Sequence, residues 1–314
     1  MQAIFIGVDV SRDTLDIACW PSKDVVNIPN RRSEIRRWLK TVPSGACVAM
    51  ESTGAYHQAL AELARQAELR VYVLNPRQVW HAARGEGRRS KTDRVDAQVI
   101  AKFLHDQIQR LHEWCPGTQL QAEVESLQRR HHCIERHCTA MRMSMSHLSG
   151  MDAEIEQFEK AARALQQAID LRVQLLVELD QDMAHKSELL RTVPAVGPVG
   201  SATLAALFAR VPFARSDSVV AFAGVDVRVS DSGTHRGRRC LTKQGPAYLR
   251  RQIWLMGFAA YHAKIYARLR EALAARGLAF TEIAMILGRR ILRIAWAVWR
   301  TDKPFNGALV ARAR

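Results

Sequence analysis

The sequence contains no apolar run long enough to cross a lipid bilayer. A membrane-spanning helix needs about 20 consecutive apolar residues, and no stretch of the 314-residue chain approaches that length. No signal-peptide pattern opens the chain. The six cysteines include no Cys-x-x-Cys pair, which argues against a disulfide framework and against a ribbon-type zinc site. We therefore expect a cytoplasmic protein with reduced thiols and no membrane partner.

Acidic residues are scarce relative to basic ones. The chain has 31 Asp and Glu against 46 Lys and Arg, a formal net charge of +15. A charge of this sign and size attracts polyanions, with nucleic acid the first candidate and acidic membrane surfaces the second. With 48% hydrophobic residues the chain has enough apolar side chains for buried cores, and its length suggests two or three domains.

The first hundred residues have the pattern of an α/β domain. Short apolar runs bounded by turn residues predict strands at residues 3–10, 15–20, 25–28, 46–50 and 70–74. Longer segments predict helices at about residues 33–41, 56–66, 76–83 and 92–105. Strands followed by strand–helix alternation predict a mixed sheet with flanking helices.

The middle of the chain has a different period. Apolar positions between residues 120 and 183 alternate at spacings of three and four, with a phase slip near residues 149–150. In the second segment they include Met151, Ile155, Phe158, Leu165 and Leu179. A 3.5-residue repeat on both sides of a slip predicts two long helices in a coiled-coil hairpin. One hairpin buries only a narrow seam, so we expect dimerisation through it.

From about residue 189 the pattern is that of a compact helical domain. Residues 227–245 are rich in Gly, Ser, Arg and Lys, and helices are predicted at about residues 246–263 and 280–299. Trp296 and Trp299 on the last helix could stack on bases, although the apolar residues around them favour core packing. Cys133 and His137 have the i, i+4 spacing of a zinc pair, but a lone pair lacks two further ligands.

Four carboxylates occupy positions that together suggest a metal site. Asp9 ends the first predicted strand and Glu51 follows the fourth, while Asp93 and Asp96 are three residues apart at the start of a helix. Each has a structural alternative, such as capping a turn, pairing with an arginine or favouring a helix N-terminus. Considered jointly they favour Mg²⁺, which needs hard oxygen ligands from several elements, in a one- or two-metal site.

Three segments in this region resemble a known family. Residues 7–11 (GVDVS), 50–54 (MESTG) and 91–97 (KTDRVDA) look like the three acidic motifs of the DEDD transposases, insertion-sequence enzymes related to the Piv DNA invertase. The C-terminal part is also similar, in FAGV at residues 222–225, Ser232-Gly233, TKQG at residues 242–245 and YLR at residues 248–250. The resemblance covers nearly the whole chain in the same order.

The resemblance implies a multidomain α/β plus α protein. Its parts would be a ribonuclease H-like (RuvC-like) domain at residues 1–112, a long coiled-coil hairpin for dimerisation at 113–186, and a compact helical transposase domain at 187–314. It implies Mg²⁺ at Asp9, Glu51, Asp93 and Asp96. The implied partners are donor and target DNA, a structured non-coding "bridge" guide RNA, and further copies of the chain in a dimer that assembles to a tetramer. The protein would be bacterial and associated with the nucleoid when bound to DNA.

The resemblance also places a catalytic nucleophile in the C-terminal domain. A serine at the position of Ser232 attacks the DNA phosphodiester in this family; Ser230 and Thr242 are alternative hydroxyls here. Basic residues expected to hold nucleic acid are Arg88, Arg89, Lys91, Arg236, Arg238, Arg239, Lys243 and Arg250. The alternative functions are a hydrolytic junction resolvase or nuclease without the serine chemistry, and a non-catalytic nucleic-acid-binding accessory protein.

Overall fold

The chain forms two compact units, residues 1–116 (unit 1) and residues 117–314 (unit 2). The computed structural model describes residues 4–22, 24–52, 56–85, 93–145, 150–228, 231–232, 235–237 and 239–307. Within these ranges the protein is mixed α/β, as the sequence predicts, with the sheet in unit 1 and long helices in unit 2. In the same ranges, no helix combines the length and the apolar character needed to span a bilayer.

A five-stranded mixed sheet forms the centre of the described part of unit 1. Its strands are β1 (Phe5–Val10), β2 (Thr14–Trp20), β3 (Val25–Pro29), β4 (Cys47–Glu51) and β5 (Arg70–Leu74). The spatial order is β3-β2-β1-β4-β5. The first three strands are an antiparallel meander, and β1, β4 and β5 are parallel to one another. The carboxyl ends of β1, β4 and β5 therefore lie along the same edge of the sheet.

Helices cover both faces of this sheet, because successive strand residues point to opposite faces. The helices are α1 (Arg32–Leu39), α2 (Gln58–Gln66), α3 (Pro76–Gly85) and α4 (Asp93–Gln107). Val8 and Met50 lie in one core with apolar residues of α1 and α2. On the other face, Cys47 and Ala49 are buried in a core shared with Ile100 of α4.

Helix α4 packs directly on β1 because Gly7 has no side chain. A β-carbon at Gly7 would lie 2.2 Å from the backbone nitrogen of Ala101 and 2.3 Å from the carbonyl oxygen of Ala97. Two residues earlier on the same strand, the Phe5 ring is 5.1 Å from the ring of His105. Phe5, earlier in β1, contacts His105, whereas Gly7, later in β1, contacts Ala97 and Ala101, which are earlier in α4. Helix α4 therefore runs antiparallel to β1.

Helices dominate unit 2. They are α5 (Gln119–Met145), α6 (Asp152–Glu178), α7 (Gln181–Arg191), α8 (Pro198–Arg210), α9 (Ser216–Phe222), α10 (Ala247–His262), α11 (Ala267–Ala275) and α12 (Phe280–Thr301). The main core lies among α8, α10 and α12, and it includes Leu204, Ile253 and Leu287. A smaller core joins α5 and α6 to α8.

The 3.5-residue repeat forms two long helices, but half of the predicted seam is not buried. In α6, Ile169, Val173 and Leu176 pack in the core shared with α5 and α8. Met151, Phe158, Leu165 and Leu179, which the sequence placed in the same seam, have exposed fractions between 40% and 73%. The expectation of one continuous buried seam is therefore corrected. Phe158 and Leu165 lie eleven residues before Ile169 and Leu176, which is about three helical turns, so all four share one side of α6. Only the later part of that side is buried against the described residues of its own chain.

Short strands lie between α9 and α10, where the sequence showed only a weakly periodic polar segment. They are β6 (Val227–Arg228), β7 (Asp231–Ser232), β8 (His235–Arg236) and β9 (Cys240–Leu241). Strand β6 pairs with β9, and β7 pairs with β8, both antiparallel. We refer to residues 227–241 as the serine arm.

Candidate active site

Two of the four predicted acids are neighbours at the carboxyl edge of the sheet in unit 1. In the parallel pair of β1 and β4, Val8 lies opposite Met50, so the next residues, Asp9 and Glu51, are level with each other. Adjacent strands are about 4.8 Å apart. The alternation of side chains directs both carboxylates to the face on which α4 lies, and both are half-buried.

The other two acids are on the first turn of α4, above the same edge. Because α4 runs antiparallel to β1, its N-terminal turn lies at the carboxyl end of that strand. Asp96 is half-buried and precedes Ala97, the residue that contacts Gly7. Asp93 begins the helix, and the structure describes its backbone alone. The fold thus brings the four backbone positions to one corner of unit 1, which we call the acidic corner.

The donor chemistry of the acidic corner fits Mg²⁺, whose preferred protein ligands are carboxylate oxygens. Among the side chains that the structure describes, no three His, Cys, Asp or Glu residues are grouped closely enough to hold a metal ion. The side chain of Asp93 lies outside that description, so the four-ligand site stays a prediction. Among the same described side chains, Cys133 and His137 have no third His, Cys, Asp or Glu grouped with them closely enough to hold a metal ion.

The sheet adds a fifth carboxylate that the sequence analysis did not single out. Asp16 lies directly opposite Asp9 in the antiparallel register of β1 and β2. Directly opposite residues have β-carbons about 4.5–5.5 Å apart, and like charges in such a pair are destabilising. The side-chain amide of Asn27 donates to Asp16 Oδ1 at 3.0 Å and offsets part of this repulsion. A carboxylate between the buried residues Leu15 and Ile17 was the signal in the sequence that pointed to this face.

The base of the serine arm is fixed by one threonine. The backbone N–H of Thr242 donates to the carbonyl oxygen of Asp226 at 3.0 Å, and the Thr242 hydroxyl donates to the Asp226 carboxylate. Farther along the arm, the strand register places Ser232 opposite His235. The structure describes the backbone alone at Ser232 and at His235, and Ser230 lies outside the described residues. Of the three candidate hydroxyl groups, that of Thr242 is therefore the one whose side chain and hydrogen-bond partner the structure describes.

Two glycines hold the chain segments before and after the serine arm together. A β-carbon at Gly245 would lie 2.1 Å from the carbonyl oxygen of Phe222, and one at Gly224 would lie 2.4 Å from the backbone nitrogen of Gly245. Gly224 also has a φ of +65°, which disfavours other residues. Arg250 donates to the carbonyl oxygen of Gly245. The two ends of the arm are thus closely packed backbone with no room for side chains.

The predicted nucleic-acid-binding residues have different environments. Arg239 and Lys243 are exposed, and Arg250 is half-buried with at least one of its donors used by Gly245. The structure describes the backbone alone at Arg236. The remaining members of the set lie outside the described residues: Arg88, Arg89, Lys91 and Arg238.

An ion-pair cluster joins α5 to α8, in which Glu125 and Arg210 are mostly buried and Arg129 is exposed. Arg129 donates to Glu125 at 2.6 Å, and Arg210 of α8 donates to the other carboxylate oxygen. Burial by itself would raise the pKa of Glu125, but the two guanidinium groups outweigh burial and lower that pKa below its usual value. The same cluster borders Tyr248 at the start of α10, whose pKa is raised mainly by burial. It therefore fixes the helix that follows the serine arm.

Comparison with known families covers both the acidic corner and the serine arm. Residues 6–148 match the family model of the IS110-type DEDD transposases, which is described as "Transposase". Residues 187–273 match the model described as "Transposase IS116/IS110/IS902 family". The chain therefore belongs to the IS110-type DEDD transposases. In this family the enzyme is a DNA transposase or site-specific recombinase, so DNA is its substrate.

Two relatives are similar to the chain over nearly its whole length. They are the pilin gene-inverting proteins of Moraxella bovis and Moraxella lacunata. Each is 24% identical over 329 aligned positions that cover 98% of this chain and 98% of the relative. The likeness to proteins named for inverting a gene agrees with the recombinase class.

Proposed function

We propose that this transposase cuts and rejoins DNA strands through a covalent serine–DNA linkage. Ser232 supplies the nucleophile, and Asp9, Glu51, Asp93 and Asp96 hold Mg²⁺. The observation that carries the proposal is the combination of strand register and helix direction at the acidic corner. Four residues from three distant parts of the sequence reach one place, as a metal-dependent phosphoryl-transfer enzyme requires.

The proposal assigns a ribonuclease H-like (RuvC-like) fold to residues 1–112. The strand order, with an antiparallel meander followed by two parallel strands, supports this assignment. Residues 113–186 are assigned to the coiled-coil hairpin and residues 187–314 to the transposase domain. The hairpin helices share unit 2 with the transposase domain, so these assignments describe roles rather than separate compact bodies.

The proposed reaction conserves the number of phosphoester bonds. The Ser232 hydroxyl oxygen forms a bond to phosphorus as the bond from phosphorus to one deoxyribose oxygen breaks. The released sugar oxygen gains a proton and becomes a hydroxyl group, which balances the proton that the serine hydroxyl loses. Attack by a sugar hydroxyl of another strand then reverses the linkage without an external energy source. Mg²⁺, when bound, supplies charge neutralisation at the phosphate and lowers the pKa of an oxygen nucleophile.

The base of the serine arm supports Ser232 over Thr242. The Thr242 hydroxyl is hydrogen-bonded to Asp226 where β6 and β9 meet the helical core. We assign Thr242 a structural role in fixing the base of the arm, and Ser232 the role of nucleophile. Exposed cations on the same segment, including Arg239 and Lys243, suit the negative charge that develops on the phosphate.

The excess positive charge supports the binding of several nucleic-acid molecules at once. A net charge of +15 is suited to an assembly that holds a structured guide RNA together with donor and target DNA. Binding to phosphates releases counterions, so affinity should fall steeply as salt rises. Purification of the chain with its bound nucleic acid, followed by sequencing, tests the guide. One discrete structured RNA species supports guidance, and recovery of only random RNA fragments contradicts it.

The exposed apolar residues of α6 and the apolar residue that follows it support self-association. Phe158, Leu165 and Leu179 are seven and fourteen residues apart, the interval that keeps side chains on one coiled-coil seam. Leu175 lies beside them and is also exposed. An exposed heptad stripe is the surface that a second copy would bury, so we propose a dimer through α6 that assembles further to a tetramer.

The decisive experiment compares Ser232→Ala with Ser230→Ala, which removes the neighbouring hydroxyl of the same segment. Each variant is incubated with end-labelled DNA carrying the element's ends, the co-purified RNA and Mg²⁺, and the products are denatured and separated. We expect a protein–DNA adduct with the wild type and with Ser230→Ala, and none with Ser232→Ala. Hydrolytic cleavage that persists in Ser232→Ala without any adduct in the wild type would replace the proposal with a resolvase-type nuclease. Full activity of Asp9→Asn would exclude the metal site.

A further inference from the structure

A cavity in unit 2 is lined mainly by aromatic side chains and is not part of the proposed active site. Its volume is about 290 Å³. It lies between the end of α8, the segment that follows α8, and the last turns of α12. The lining residues are Phe208, Val211, Pro212, Phe213, Trp296, Trp299 and Arg300.

Contacts behind the cavity hold its walls in place. Phe208 and Phe213 are buried, and their ring centroids are 6.2 Å apart. The Trp299 ring is 5.7 Å from that of Phe208, and the ammonium group of Lys186 lies 5.3 Å from the centroid of Trp299. Because these rings are fixed by the core, little side-chain entropy is lost when a group enters the cavity.

The only charged side chain among the lining residues is at the mouth. Arg300 is exposed, its guanidinium carbon lies 5.1 Å from the Trp296 ring centroid, and Nη1 donates to the carbonyl oxygen of Ala214 at 3.3 Å. A guanidinium group has five N–H donors, so this bond leaves most of them for an anion. Arg215, the next residue after Ala214, is also exposed. Within the described part of the chain neither arginine takes part in an ion pair.

Size and chemistry together indicate the occupant. Pockets for drug-sized ligands have volumes of roughly 300–1,000 Å³, so a 290 Å³ cavity suits a single planar ring system. Apolar aromatic walls favour a flat group that stacks, and the cations at the mouth favour an attached anion. A nucleotide has both parts: the base stacks on aromatic rings, and its phosphate accepts hydrogen bonds from arginine.

We propose that this cavity binds one unstacked base of a single-stranded nucleic-acid segment, with Arg300 on the adjoining phosphate. The base inserts beside Trp296, the lining tryptophan that carries Arg300 on its ring. The inference rests on nucleic acid being the partner of this transposase, and it depends neither on the serine linkage nor on Mg²⁺. Its occupant is a base of looped RNA or of DNA strands opened for exchange, since both present the same chemistry.

The test measures binding of the full-length chain to short single-stranded DNA and RNA oligonucleotides that contain 2-aminopurine, without divalent metal. We expect 2-aminopurine fluorescence to be quenched on binding, since the base stacks on tryptophan. Loss of one stacked base should weaken binding by about 5- to 160-fold in Trp296→Ala, and Trp296→Phe should restore much of the affinity. Arg300→Ala should lower affinity and reduce the salt dependence by about one phosphate contact. Thermal melting of each variant identifies loss of folding.

Trp254→Ala is the matched control, because Trp254 also stacks with an arginine, Arg251, at 5.0 Å but does not line the cavity. It should bind as the wild type does. An oligonucleotide with abasic sugars should bind wild type and Trp296→Ala equally. An effect with RNA alone, DNA alone or both supports the proposal and identifies the source. Equal affinity of Trp296→Ala and the wild type for normal oligonucleotides overturns the proposal. If Trp296→Ala changes the sedimentation mass of the protein but not its oligonucleotide binding, the proposal is also overturned, and the cavity is assigned to a protein contact. Because no catalysis is measured, failure of the serine mechanism would leave this result unaffected.

Discussion

Replacement of Gly7 by alanine tests the packing that builds the acidic corner. The added β-carbon would lie 2.2 Å from the backbone nitrogen of Ala101, whereas ordinary contact begins at 3.4 Å. The obstacle is backbone, which cannot rotate away, so α4 must retreat by about 1 Å. A gap of that size forfeits a quarter to a half of each dispersion contact along the interface.

The energetic consequence follows from overpacking. Insertion of a methyl group into a tight interface costs about 1–3 kcal/mol, and each kcal/mol lowers the melting temperature of a unit of this size by about 4 °C. We expect Gly7→Ala to lower the melting temperature assigned to unit 1 by about 4–12 °C. A displacement of about 1 Å in a reactive group costs about 100-fold in rate, and Asp93 and Asp96 move with α4. Recombination at a temperature where the variant is folded should fall by about that factor.

The assay combines calorimetry of the full chain with recombination between two plasmid-borne sites. Gly197→Ala is the matched control, because a β-carbon there meets nothing within 4 Å and its φ of −82° suits alanine. The control should change the melting temperature only slightly. Wild-type melting and wild-type recombination in Gly7→Ala would refute the direct packing of α4 on β1, and with it the argument for the acidic corner.

Three further predictions follow from the ion pair at α5, the sheet register and the exposed apolar residues of α6. The lowered pKa of Glu125 means that its contribution to stability is full above its unfolded pKa and is lost as pH falls through the folded value. The stability of unit 2 should therefore fall below about pH 4. Glu125→Gln should destabilise unit 2 by about 3 kcal/mol at neutral pH and should make its stability less dependent on pH in this acidic range, as measured by calorimetry. An unchanged loss of stability at acidic pH in the variant would contradict this. Asp16→Asn should stabilise the metal-free protein by up to about 1 kcal/mol, because it removes a like charge opposite Asp9. It should also reduce the rise in melting temperature on adding Mg²⁺. If Mg²⁺ raises the melting temperatures of the variant and the wild type equally, Asp16 is not part of the metal site. Leu165→Glu should lower the sedimentation mass at micromolar concentration with little loss of secondary structure. Gln167→Glu, a control at another exposed position of α6, should leave the sedimentation mass unchanged. Association that survives Leu165→Glu would exclude the proposed interface.

Sequence patterning was sufficient for the elements and their types in the described part of unit 1. Apolar runs with turn residues predicted strands within a few residues of β1 to β5, and the start of α4 lies one residue from its predicted position. These patterns are local, because side-chain periodicity and capping act within a few residues. The serine arm was not predicted as strands, since strands of two residues have too few alternating positions to give a signal.

The long repeat of the hairpin shows where local reasoning stops. Spacing alone predicted that Phe158 and Ile169 share a seam, yet Phe158 is exposed and Ile169 is buried against α5 and α8. The two residues are eleven positions apart and share one side of α6, so their spacing does not encode which part of that side the rest of the chain covers. The choice depends on which surfaces the rest of the fold presents.

The sequence by itself determined the class of this protein: the acidic and serine motifs, their order and the positive charge identify a DEDD transposase that acts on nucleic acid. The tertiary structure decided which groups are neighbours. Strand register placed Asp9 level with Glu51 and opposite Asp16, and the missing side chain of Gly7 let α4 carry Asp96 to the same edge. It also arranged Phe208, Trp296 and Arg300 around one cavity. Such proximities join residues far apart in the chain, and they follow from packing and hydrogen-bond register, which short-range sequence patterns do not encode.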